Sequence, residues 1–248
     1  MHSRSRHVGW DEYIVEGFLS FLSRFGNDRK EISGPRKKFL GYNDLLELFK
    51  KPQCPVCQII KRSLNHYTAT AFTEEVANGE FREEMRSTLG YCRSHSKYVL
   101  NILPRPLHGM GIAIVYEDLL TQVEMNLTKE PFDTIPIQNN CALCSFESEL
   151  TDYALQLIAD YCNDAEFQKA YANSHGLCFP HMRPLCERLS GEGLTFILEE
   201  HDRKLSTLVV HLSEFQRKND HRFSEEGITP DEANAWQRAV KFMIGETG

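Results

Sequence analysis

Cys54-Pro-Val-Cys57, then 34 residues, then Cys92-Arg-Ser-His95; Cys141-Ala-Leu-Cys144, then 33 residues, then Cys178-Phe-Pro-His181. These stretches are one pattern written twice, and the duplication organises the rest of the chain. Agreement extends beyond the ligand-type residues. Glu80-Phe81 and Glu166-Phe167 stand at the same distance before the third Cys of each copy. Gly90 and Gly176 each lie two residues before that Cys, and Gly109-x-Gly111 and Gly191-x-Gly193 open a later apolar segment in both copies.

Working outward, the apolar spacing is helical throughout. Ile60, Leu64, Tyr67 and Ala71 follow the first Cys pair at three- and four-residue steps, as do Phe146, Leu150, Tyr153, Leu157 and Tyr161 after the second. Shorter helices are expected around 79–89 and 164–173, ending at the glycine before the third Cys. A further helix starts at or just after each Cys-x-x-His. Longer ones follow over roughly 111–128 (Ile112, Val115, Leu119, Val123) and 193–217 (Leu194, Leu198, Leu205, Leu208, Leu212, Phe215). Thr229-Pro-Asp-Glu232 has the form of a capping box and predicts a last helix through Trp236, Val240 and Phe242. No stretch alternates as a strand would. The expectation is an all-α protein of two tandem related helical modules, each stapled by a Cys3His metal site. The boundaries read 1–40 (an N-terminal amphipathic helix and basic linker), 41–130 (first repeat), 131–222 (second repeat) and 223–248 (a C-terminal helix packing on the body).

The eight repeated residues, Cys54, Cys57, Cys92, His95, Cys141, Cys144, Cys178 and His181, are the expected metal ligands. Three thiolates and an imidazole form one of zinc's closed structural sets, and a two-residue gap turns both side chains of a pair toward a common point. Helix N-termini next to such pairs favour thiolate over thiol. Two zinc ions per chain are therefore expected, with an iron–sulfur cluster as the alternative. Zinc is preferred because cluster sites are usually all-Cys. Pairing within a copy is the simpler expectation, although Cys54/Cys57 could instead meet Cys178/His181 if the halves exchange partners.

Other features read more plainly. Cys162 and Cys186 have no counterpart in the first copy and are taken as buried apolar residues. His201 stands on the apolar stripe of the second long helix where the first copy has Leu119, so it reads as a core histidine with a partner. Glu117-Asp118 and Glu199-Glu200 recur at one station. A solvated helix face is the plain reading, and orientation of a liganding histidine the functional one.

Composition bounds the function. The 248 residues are 41% hydrophobic and 25% charged, normal for a folded soluble chain. No apolar run approaches the roughly 20 residues of a membrane span, and the N-terminus lacks the form of a signal peptide. A cytoplasmic setting follows, where cysteines stay reduced. Net charge is −7. Residues 1–38 hold eight Lys/Arg against five acids, leaving 20 basic and 30 acidic residues in the remainder. So acidic a body argues against nucleic acid, whose phosphates are neutralised by Lys and Arg. Residues 9–25, with Trp10, Ile14, Phe18, Phe21 and Phe25 on one side, could make peripheral membrane contact, but packing on the body or on a partner is preferred because Asp11, Glu12 and Glu16 lie on the polar side. No P-loop, Rossmann glycine pattern, Gly-x-Ser-x-Gly or His-Glu-x-x-His occurs, so the reading leans away from an enzyme. A non-enzymatic zinc protein with a protein-interaction or scaffold role is the leading expectation, and a redox or electron-transfer protein using an iron–sulfur cluster or reactive dithiols the alternative.

The motifs Cys54-Pro-Val-Cys57, Gly90-Tyr-Cys92-Arg-Ser-His95, Cys141-Ala-Leu-Cys144 and Gly176-Leu-Cys178-Phe-Pro-His181 resemble an uncharacterised family of bacterial and archaeal proteins with a repeated CPxC…GxCxxH pattern. The resemblance runs over roughly residues 41–245. It implies a prokaryotic cytoplasmic setting and carries no activity.

Overall fold

The computed structural model describes residues 41–102, 106–127 and 141–246, and among them there is no β-strand. The amphipathic segment 9–25 and its basic linker lie outside the described residues. In the first half, helices run α1 (Tyr42–Phe49), α2 (Pro55–Ala71), α3 (Gly79–Thr88), α4 (Arg93–Ile102) and α5 (Pro106–Leu127). The second half holds α6 (Ala142–Tyr161), α7 (Ala165–Ala172), α8 (Phe179–Cys186), α9 (Gly191–Lys218), α10 (Pro230–Ala233) and α11 (Ala235–Ile244). The all-α expectation stands, and α2–α5 recur in order as α6–α9. No described helix is long and apolar enough to cross a membrane.

The recurring side chains have local physical causes. Two residues before Glu80-Phe81 and Glu166-Phe167 stand Asn78 and Asp164, whose side chains accept the amides of those very residues and so cap α3 and α7. The phenylalanine of each pair is buried, as are Val56 and Leu143 inside the first Cys pairs and Tyr91 and Leu177 just before the third Cys. Gly90 and Gly176 adopt left-handed φ values of 87° and 74°, which favour glycine over any residue with a Cβ. A Cβ at Gly111 would lie 1.8 Å from the carbonyl oxygen of Phe72, and one at Gly193 would lie 2.4 Å from Cys162 Sγ. Phe72 and Cys162 are the C-cap residues of α2 and α6. The duplicated glycine therefore lets each long helix cross the end of the first helix of its own copy.

The halves do not sit side by side as separate modules. The most extensive helix–helix contact joins α2 to α6, and α1 packs on α7 of the other half. Phe49 meets the rings of Phe167 and Tyr171 edge-on, Tyr67 packs on Phe146, and the Tyr42 hydroxyl donates to Asp164 at 2.6 Å. One apolar cluster runs through both copies.

Three details differ from the periodicity reading. Helix α5 begins at Pro106, and its paired glycines fall inside it instead of opening it. In α9 the buried positions are Gly193, Ile197 and His201, while Leu198 is exposed. The last helix is broken at Asn234 into α10 and α11, with Trp236 and Val240 on the outside. The capping box forms as expected: Thr229 N–H donates to Glu232 at 2.8 Å and Glu232 N–H to the Thr229 hydroxyl at 3.3 Å. Lys218 then ties Glu232 to the end of α9.

Candidate metal centres

Each of the four ligand pairs begins a helix in the same way. Cys54, Cys141 and Cys178 are N-cap residues of α2, α6 and α8, and Cys92 immediately precedes α4. In each case the carbonyl of this first residue accepts the N–H four positions on: Gln58, Ser96, Ser145 and Met182. The second ligand falls three residues along, in the first turn, on the same side as the cap. None of the three capping cysteines makes an ordinary side-chain cap bond. Their sulfurs face a neighbouring helix terminus instead.

All eight expected ligands fall into two groups, and the partners are exchanged. Cys54 and Cys57 meet Cys178 and His181 (site one), while Cys141 and Cys144 meet Cys92 and His95 (site two); within each group the ligand atoms lie within 4.8 Å of one another. Pairing within a copy is therefore overturned. The reason lies in helix lengths. At about 1.5 Å per residue, α2 advances roughly 25 Å, whereas α3 returns only about 15 Å; α6 advances about 30 Å and α7 returns about 12 Å. The chain does not come back to its own starting pair, and the side-by-side packing of α2 and α6 offers the other copy's pair instead.

The spacing suits a single tetrahedral ion. Zinc bonds of about 2.3 Å to sulfur and 2.0–2.1 Å to nitrogen place sulfurs roughly 3.8 Å apart and sulfur and nitrogen roughly 3.6 Å apart. In site one, Cys57 and Cys178 sulfurs are 3.6 Å apart, and His181 Nδ1 lies 3.6, 3.4 and 3.1 Å from Cys54, Cys57 and Cys178. In site two, Cys92 and Cys144 sulfurs are 3.7 Å apart, and His95 Nδ1 lies 3.4, 3.6 and 3.3 Å from Cys92, Cys141 and Cys144. All eight cysteines are free, and these separations are far beyond a disulfide bond of about 2.05 Å.

Crowding of sulfurs shapes their protonation. Burial raises the Cys54 thiol, but hydrogen bonds from Cys178, Cys57 and His181 outweigh that and hold it well below its ordinary value. In site two burial likewise works against the Cys92 thiolate, yet the backbone and ring of His95 with the two nearby thiols bring it to about 7. Once one sulfur is anionic its neighbours resist ionisation. Burial and the Cys92 and Cys141 sulfurs push Cys144 up to about 12. Cys54 and Cys92 are thus more readily ionised than Cys57, Cys178 and Cys144, whose thiolate forms a cation would favour.

The two surroundings differ. His95 Nε2 lies 3.2 Å from Glu147, whose carboxylate is the main cause holding the ring proton up to about 9. A carboxylate behind a metal-binding histidine fixes the ring with Nδ1 toward the ion. Sequence reading missed Glu147; it stands one turn after Cys144, and its counterpart in the first copy is Ile60, so the duplication gave no signal. Site one is closed differently. The backbone N–H of Glu246 donates to Cys57 Sγ at 3.3 Å, and a Cβ at Gly245 would stand 3.5 Å from both the Cys57 and Cys178 sulfurs. The chain beyond α11 is laid across the site.

The remaining candidates resolve plainly. Of the recurring acids, Asp118 is paired with Arg82 and Arg86, and Glu200 with Arg203 and Lys204, so these two form ion pairs and orient no ligand. Cys162 is buried, its thiol donating to the Ala159 carbonyl, and Cys186 packs against the core. His201 is buried, with Nε2 2.6 Å from the Tyr171 hydroxyl.

Residues 133–248 match the model of a family described as a family of unknown function (DUF6062). The match takes in the second copy of the motif and the C-terminal helices, a shorter stretch than the resemblance over 41–245 implied. No curated protein and no solved structure matches the chain.

Proposed function

We propose that this is a cytoplasmic zinc protein, without catalytic activity of its own, in which two structural Cys3His sites lock two helical repeats together as a platform for a protein partner. The observation that carries the reading is the reciprocal exchange of ligand pairs, with every ligand supplied by the first turn of a helix. Four ligands from one chain complete a tetrahedron and leave no position for substrate, which favours a structural ion over a catalytic one. A mixed set of three sulfurs and one nitrogen favours zinc over an iron–sulfur cluster. Ions placed between the halves would contribute to folding directly, because the sites do not exist in the unfolded chain.

A partner role rests on the outer face of α11. Trp236, Val240, Met243 and Ile244 are 51%, 52%, 58% and 65% exposed and recur at helical spacing, an apolar stripe that folded monomers rarely leave open without use. The acidic charge of the chain favours protein over nucleic acid as that partner.

Elemental analysis with a visible spectrum, on protein purified without oxygen, tests the proposal. Two zinc ions per chain and no colour are expected, with loss of helical signal on chelation. Iron with broad visible absorbance would replace this reading with a redox one, and metal-free protein that is fully folded would end it.

A further inference from the structure

The two sites share a ligand set but not an environment. Every ligand of site one is buried, with exposures of 6% for Cys54, 3% for Cys57, 3% for Cys178 and 8% for His181. The Cys57 and Cys178 sulfurs lie under Gly245, and Cys57 receives the backbone N–H of Glu246. In site two, Cys141 and His95 are buried, Cys92 is partly exposed and Cys144 is exposed. The hydrogen-bonding neighbours of the Cys144 sulfur are ligands of its own site, Cys92 and His95. Site two has a backbone N–H···S bond as well, from His95 to Cys92, but only site one keeps every ligand away from solvent, and an exposed thiolate is the one open to attack by solutes.

We propose that site two is a peroxide-reactive zinc–thiolate centre, with Cys144 as the sulfur attacked and Cys92 as the sulfur that resolves it, while site one remains a closed structural site. The inference rests on the zinc reading of both sites and deepens it. In the first step the Cys144 thiolate attacks one oxygen of hydrogen peroxide. An S–O bond forms, the O–O bond breaks and hydroxide leaves, giving a sulfenic acid. Cys92 Sγ, 3.7 Å away, then attacks the Cys144 sulfur. The S–S bond forms, the S–O bond breaks and a second hydroxide leaves. Two protons from solvent convert both hydroxides to water, so the two thiolates supply the two electrons that reduce the peroxide. Zinc, left with Cys141 and His95, dissociates. Release would loosen the joint between α4 and α6 while the joint between α2 and α8 stays made.

The experiment uses the full chain, with its zinc content measured first. Protein that does not carry two zinc ions ends the proposed function itself, whereas protein that carries both and fails the next step ends this inference alone. One equivalent of hydrogen peroxide is then added in the presence of a chromophoric zinc chelator. The expected result is release of one zinc per chain on the order of tenfold faster than the second, with peptide mapping finding a Cys92–Cys144 disulfide and Cys54, Cys57 and Cys178 still reduced. Simultaneous release of both ions, no release, or first oxidation within site one would overturn the proposal. A chain ending at Ile244 provides a second reading. Its site-one zinc is expected to become as labile as that of site two; an unchanged rate would show that the tail does not protect the sulfurs.

Discussion

Gly109 and Gly111 sit two residues apart on α5 and are expected to respond oppositely to alanine. A Cβ at Gly109 meets nothing within 4 Å, so Gly109→Ala should stabilise the helix by about 0.5–1 kcal/mol through the entropy of the unfolded chain. At Gly111 the same methyl would drive into the Phe72 carbonyl, and Gly111→Ala should cost about 1–3 kcal/mol or more. Denaturant unfolding of the two variants checks the pair. His201 gives a pH signature. Burial, with Lys204 nearby, lowers its pKa to about 4 against an ordinary 6.5, because the neutral ring is the form that packs on Tyr171. The unfolded chain then binds the proton more readily. The contribution to stability is full above about pH 6.5 and is lost as pH falls toward 4, by about 2 kcal/mol between pH 7 and pH 5. In His201→Gln, at equal metal content, that part of the pH slope should be missing. Equal slopes in both proteins would show that the ring is not held neutral.

At the scale of elements, the caps of α3 and α7 are equivalent in sequence but not in load. Asn78→Ala removes one N-cap and should cost about 1 kcal/mol. Asp164→Ala removes the matching cap and also the acceptor of the Tyr42 hydroxyl, which joins α1 to the other half. It should cost about 1 kcal/mol more, since it also removes the hydrogen bond of a buried tyrosine. Melting both variants tests the difference; equal losses would mean the Tyr42 contact adds nothing. The helices themselves were legible because Ile60, Leu64 and Ala71, or Leu150 and Leu157, repeat at one angular station and are buried. Legibility failed where apolar residues crowd or punctuation is ambiguous. Phe196-Ile197-Leu198 offers three phases for one stripe, and packing selected Ile197. Asn234 carries no breaker signal, yet the chain turns there to follow α9.

At the scale of the whole molecule, all eight ligands were readable because only Cys and His supply these donors in repeated Cys-x-x-Cys and Cys-x-x-His form. Their pairing was not readable, since separations of 34 and 33 residues permit closure within or across copies. Exchange makes the sites unequal as constraints. Between Cys57 and Cys178 lie 120 residues, and between His95 and Cys141 only 45. Closing the longer loop restricts the unfolded chain more, by roughly 1 kcal/mol. Loss of site one, by Cys57→Ser with Cys178→Ser, should therefore lower stability more than loss of site two by Cys92→Ser with Cys144→Ser. Chemical denaturation of the two double variants would reveal the order, and a larger loss at site two would contradict it.

The exchange of ligand pairs is the claim on which the rest depends, and cadmium substitution tests it most directly. With NMR-active cadmium in place of zinc, scalar coupling through the metal–sulfur bond correlates each ion with the β-protons of the cysteines that hold it. The account predicts one cadmium correlated with Cys54, Cys57 and Cys178, and a second with Cys92, Cys141 and Cys144. One cadmium correlated with Cys54, Cys57 and Cys92 would contradict it, and would return the molecule to two modules that each close on themselves.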